Sequence, residues 1–98
     1  MDEIISGILK EGKLHHISVR IGDELWEVGA FSPGVYNFIP ECPEDARILV
    51  GTLTDSRTGQ QHSAENNPSL PRVETGIPFN LSCEQPVIYL ARYYPESK

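Results

Sequence analysis

The chain is 98 residues long, 39% apolar and 22% charged, with a formal net charge of −6. So short a chain can bury one core and not two, and its balance of apolar and charged residues excludes wholesale disorder. Eight Lys and Arg against fourteen Asp and Glu exclude a broad phosphate-binding surface, and with it a nucleic-acid partner.

The N-terminus, "MDEIISGILKEG", lacks the basic start and unbroken apolar run of a secretion signal. No stretch has the roughly 20 apolar residues that span a bilayer. A cytoplasmic location without a membrane partner is expected, or a place in an assembled particle. "EIISGILK" reads as a first strand, and "EGK" as a hairpin turn. In "KLHHISVRI", His15, Ile17, Val19 and Ile21 alternate with His16, Ser18 and Arg20, the period of a half-buried strand. After a turn at Gly22–Glu24, "LWEVGAF" puts Trp26, Val28 and Ala30 on one face and Glu27 on the other. Trp26 is then a candidate for the core and Glu27 for the solvated side.

"SPG" breaks the chain, "VYNFI" resumes it, and Pro40 stops it. "CPEDAR" is the one plausible turn of helix, with Pro43 at a first helical position and Glu44 and Asp45 suited to a helix N-terminus. "RILVGTLT" follows, then a long polar run, then "GIPFNLS" with Ile77, Phe79 and Leu81 on one face, and finally "PVIYLARYY". These are about seven strands joined mostly by short turns. They predict one all-β domain over residues 1–98, an antiparallel β-sandwich with a small β-barrel as the alternative. The polar run cannot link two domains, because residues on both sides are needed for one core. It is expected as a mobile loop over about 56–72.

Three pieces resemble a known group. "IISGILKEGK" and "ILVGTLTDSRTGQ" are similar to the opening strand and turn of transthyretin-like or carboxypeptidase-regulatory-like sandwich domains. "SPGVYNF" resembles the Pro-Gly-x-Tyr hairpin of such domains, and "ISGILKEG" with "PGVYNF" also resembles the N-terminal domain of prophage tail fibres. The resemblance implies a sandwich that binds, spaces or attaches and does not catalyse. The chain departs from the pattern at His15, His16 and Ile17, and in its long polar run.

Individual residues add little chemistry. His15 and His16 point to opposite faces of a strand and cannot chelate one ion together. Neither they nor His62 have the short ligand spacing of a structural zinc site with Cys42 or Cys83. The two cysteines are expected as reduced thiols, with a disulfide between them as the alternative. Glu41, Glu44 and Asp45 oppose ionisation of Cys42. Asp23, Glu24, Glu27 and Asp55 fall in turns or on outward strand positions, where they read as solvated charge. No catalytic, cofactor or metal residue is assigned.

Two stretches remain as contact surfaces. In the last strand, Tyr89, Arg92, Tyr93 and Tyr94 are of the types that anchor protein interfaces. In the polar run, Arg57 and His62 offer hydrogen bonds, while Leu70, between Pro68 and Pro71, and Arg72 suit an extended anchor. The function expected from sequence is non-enzymatic protein binding, as a structural or attachment component of a larger, phage-tail-like assembly, with a protein partner that includes a second copy. The alternative is a small acidic inhibitor or immunity-type protein capping a basic site.

Overall fold

Each alternating or apolar segment becomes a strand, because extended backbone lets one row of side chains bury while neighbouring strands satisfy the peptide groups. The computed structural model describes residues 3–9 and 12–95. Among these it has nine strands and no helix: β1 (Glu3–Leu9), β2 (Leu14–Ile21), β3 (Glu24–Phe31), β4 (Gly34–Phe38), β5 (Glu44–Val50), β6 (Thr52–Asp55), β7 (Gln60–Ser63), β8 (Phe79–Cys83) and β9 (Val87–Tyr93). They form a five-stranded sheet in the order β1-β2-β3-β9-β5 and a four-stranded sheet in the order β4-β8-β6-β7, with every pairing antiparallel. The expected all-β sandwich is what the chain forms. The turn expected at "EGK" lies partly outside the described residues; Gly12 and Lys13 are in a turn there.

The strand count rises from seven to nine for two local reasons. "RILVGTLT" divides at Gly51, whose φ of +90° suits a residue without a Cβ. The bend sends β5 into one sheet and β6 into the other. The polar run then contributes β7, paired with β6 through Leu53 opposite His62 and Asp55 opposite Gln60. "CPEDAR" forms no helical turn. Glu44 opens β5 instead, because extended backbone there bonds on both sides, to β9 and to Val73.

The segment 56–72 is not a free excursion, since its backbone and side chains are bonded along its length. The Asp55 carbonyl accepts from the Gly59 N–H at 2.7 Å, and the Asp55 carboxylate accepts from the Arg57 backbone N–H at 2.9 Å and its Nε at 3.0 Å. Asn67 takes a left-handed φ of 58°, a conformation Asn tolerates, and its carbonyl accepts from the buried His62 Nδ1 at 2.7 Å. The chain then runs along the open edge of β5. Ile48 N–H donates to the Pro68 carbonyl, and Leu70 N–H donates to that of Ala46, both at 2.9 Å. The β5 edge of the five-stranded sheet is thereby covered, which removes it as a template for stray strand pairing.

One end of the sandwich is solidly filled. Phe31 lies 4.7 Å from the Tyr36 ring and 5.1 Å from the Tyr89 ring, centre to centre. Leu14 and Val87 flank Phe31 in the cross-strand register, and all three are buried. The Tyr36 hydroxyl donates to the Ser32 carbonyl, which ties the "SPG" turn to the core.

The five-stranded sheet is turned over relative to the expectation. Leu25, Glu27, Gly29 and Phe31 of β3 face inward, while Trp26, Val28 and Ala30 face outward. On β2 the register places Leu14, His16, Ser18 and Arg20 inside, leaving His15, Ile17 and Ile21 exposed. Three large residues decide this parity. Leu14, Leu25 and Phe31 sit on the same face as Tyr89 and Ala91 of β9, where Phe31 meets the rings of both Tyr36 and Tyr89. The polar residues between them are carried inside.

Candidate functional site

Away from the filled end, the sheets enclose a cavity of about 730 Å³, within the range of small-molecule sites. It exists because the row from Ser18 through Glu27 to Ala91 and Ala46 has small side chains at three of its four positions. At the open end stand Arg20, Leu25 and the segment from Ile39 to Cys42. Phe38, Phe79 and Leu81 form the opposite wall, from the four-stranded sheet.

The polar groups in this space come from four adjacent strands. Tyr89 lies opposite Gly29, where a Cβ would come within 2.3 Å of its ring. The missing side chain lets the phenol cross β3, and its hydroxyl donates to the Glu27 carboxylate. Ser18, in register with Glu27, has its hydroxyl 3.4 Å from the same carboxylate, and His16 Nδ1 lies 3.6 Å from it. Tyr93 and Glu44 are in register across β9 and β5 at the open end.

Burial is the main influence on these groups. It pushes the Glu44 carboxyl up to about 7, helped by the negative charge of Glu27 and opposed by Arg57. Burial also raises the Tyr89 and Tyr93 phenols far above their ordinary value, with the charges of Glu27 and Glu44 adding to it. Both tyrosines therefore stay protonated donors at any ordinary pH. The Cys42 thiol at the mouth is pushed up by burial and by Glu44 and Glu41, which keeps it in the unreactive form. Cys42 and Cys83 are both free thiols. Among the described residues no group of three or more His, Cys, Asp or Glu is placed to hold a metal ion.

No protein-family model matches the chain, and no curated protein matches it. Solved structures do. A protein of unknown function from Vibrio parahaemolyticus gives a TM-score of 0.81 at 24% identity, over 94% of this chain and 99% of that one. A DUF1255 protein of unknown function from Acinetobacter sp. ADP1 gives 0.78 at 16% identity, over 95% and 94%. The Cupin_2 domain of an XRE family transcriptional regulator from Enterobacter cloacae gives 0.54 at 16%, over 98% and 97%. The likeness is one of fold. It overturns the resemblance to transthyretin-like, carboxypeptidase-regulatory-like and tail-fibre domains, because the chain folds like DUF1255 and cupin-like proteins. "IISGILKEGK" and "PGVYNF" misled because a Gly after an apolar pair and a Pro-Gly turn mark strand ends in any antiparallel sandwich.

The eight residues read from sequence as contacts fall into three places. Tyr89 and Tyr93 line the cavity. His62 and Leu70 are buried, while Arg57 is committed to Asp55, to the Arg72 carbonyl at 3.1 Å and to the face of Phe79 at 4.4 Å. Arg72, Arg92 and Tyr94 form an outer cluster. Tyr94 lies 4.6 Å from the Arg72 guanidinium and 5.0 Å from that of Arg92, and its hydroxyl donates to Asp45 at 3.0 Å. Sequence reasoning missed Glu27, Glu44, Ser18 and Arg20 as interior groups. No signal within one strand marks them, because the parity that carries Glu27 inward is chosen by pairing across strands, Phe31 opposite Val87 and Gly29 opposite Tyr89.

Proposed function

We propose that the chain binds a small, neutral ring compound bearing hydroxyl or amino groups in the inter-sheet cavity, and that Glu44 moves a proton on it. The observation that carries this reading is Glu44 itself. A carboxyl held near 7 inside a cavity, beside a second carboxylate and two phenols, suits general acid–base work at neutral pH. The lining suggests the ligand class. Phe38, Phe79 and Tyr93 offer ring faces, the carboxylates of Glu27 and Glu44 accept from ligand donors, and three acids, Glu27, Glu41 and Glu44, against one cation, Arg20, disfavour an anion. Glu27, held by the Tyr89 hydroxyl, fixes the ligand while Glu44 gains or loses the proton.

This departs from the expectation of a non-enzymatic protein-binding module, which supplies no reason for burying two carboxyls. The test is ligand-observed NMR with a library of monosaccharides, aromatic alcohols and cyclic amines. Binders that compete for one site, and whose affinity changes with a midpoint near pH 7 in the wild type but not in Glu44→Gln, support it. Absence of any binder, or binding indifferent to Glu44→Gln and Tyr89→Phe, overturns it.

A further inference from the structure

The outward faces of the two sheets differ in kind. On the four-stranded sheet the outward residues are Val35, Asn37, Thr52, Thr54, Gln61, Ser63, Asn80 and Ser82, polar at all but one position. That is how a solvated antiparallel sheet should read. On the five-stranded sheet, Ile17, Ile21, Val28, Ile88 and Val50 are 49%, 52%, 42%, 36% and 54% exposed. Ile17, Val28 and Leu90 stand in one cross-strand row at its centre, with Val19 and Trp26 in the row on one side and Ala30 and Ile88 in the row on the other. A continuous apolar face of this kind marks an interface.

We infer that two copies of this chain associate through these faces as a two-fold dimer. Three observations favour a second copy. The first is size: five strands about 4.8 Å apart and about 23 Å long project roughly 550 Å², a footprint of the same order as the ~800 Å² per partner of a stable interface. The second is charge. The fringe carries Arg47 and Arg92 together with Asp45 and Glu24, with Arg92 3.6 Å from Glu24. A patch with both signs is complementary to itself, as an isologous contact requires. A uniformly basic or acidic partner meets half of these charges with the wrong sign, and an anionic lipid surface gains no net attraction from two arginines beside two acids. The third is readiness. Trp26 donates from Nε1 to Glu24 at 3.0 Å and lies 5.7 Å from the Arg92 guanidinium, so an aromatic–arginine corner of the hot-spot type is already fixed.

Sedimentation equilibrium of the full chain at about 10–100 µM is the test. The wild type is expected at twice the 10.9 kDa chain mass. Val28→Arg should raise the dissociation constant at least about 100-fold with an unchanged circular-dichroism spectrum. Val35→Arg, on the polar sheet, should leave the dimer intact. If Val28→Arg fails to fold, Ile17→Lys supplies the same measurement at the neighbouring exposed position. A wild type that stays monomeric throughout the range overturns the inference, whether or not it binds phosphatidylcholine–phosphatidylglycerol vesicles. So does a folded Val28→Arg or Ile17→Lys protein that remains dimeric.

Discussion

Glu44→Gln is the substitution that most directly tests the physics of the cavity. The Glu44 carboxyl is raised from 4.5 to about 7, chiefly by burial. Between those values the folded protein holds a proton that the unfolded chain has already released, so stability falls as pH rises through the window and stays lowered above it. At about 1.4 kcal/mol per pH unit, the gap amounts to about 3 kcal/mol. Gln is neutral in both states and has nearly the same shape. The two proteins should therefore be about equally stable near pH 4.5, and Glu44→Gln should become the more stable by about 3 kcal/mol at pH 8. In a domain of this size that is a melting difference on the order of 15 °C. Urea unfolding of both proteins at half-unit intervals from pH 4.5 to 8.5 reads it, and titrating groups that do not interact with Glu44 cancel in the difference. A constant difference across that range would show that Glu44 is solvated and ordinary. The proposed proton transfer would then lose its foundation.

Four further outcomes follow from the packing of the same sandwich. Asp55→Ala should cost about 3–5 kcal/mol in urea unfolding, because it strips the partner from Arg57 at a fully buried site. Gly29→Ala should cost about 1–3 kcal/mol and abolish ligand binding by NMR, since the new methyl occupies the path of the Tyr89 ring. Trp26→Ala, measured in the Val28→Arg background, should cost only about 1 kcal/mol, against about 3–5 kcal/mol for Phe31→Ala, because the indole faces outward. Deleting residues 60–70 should abolish the cooperative unfolding transition by circular dichroism, since it removes β7, His62 and Leu70 together.

The strands were legible in the sequence because alternation and turn residues are local signals. What lay beyond local reach was the choice between faces. In β3 the alternation offers Trp26, Val28 and Ala30 against Leu25, Glu27, Gly29 and Phe31, and hydrophobicity alone favours the first set. The decision is made across strands, by Phe31 meeting Val87 and Gly29 meeting Tyr89, and no single strand contains that information. The polar run misled for a related reason. His62 and Asp55 are polar yet buried, each with a nearby partner: the Asn67 carbonyl for His62 Nδ1 and the Arg57 guanidinium for the Asp55 carboxylate. A count of polar residues cannot distinguish such paired groups from solvated ones.

The inverted polarity of the five-stranded sheet joins the two proposals physically. A lone sandwich gains most by pointing its apolar faces at one another, and this chain instead places Ser18, Arg20, Glu27 and Glu44 between its sheets while Ile17, Val28 and Ile88 look outward. Each half of that arrangement is costly alone: a carboxyl raised to about 7 opposes folding at neutral pH, and an exposed apolar sheet face invites aggregation. A ligand that meets the carboxyls offsets the first cost by binding only the folded state. A second copy that covers the outer face offsets the other by burying on association the apolar area left exposed on folding. The two effects act on opposite sides of the same β-strands. Alternation makes them inseparable in sequence, because shifting β3 by one residue to bury Val28 would expel Glu27.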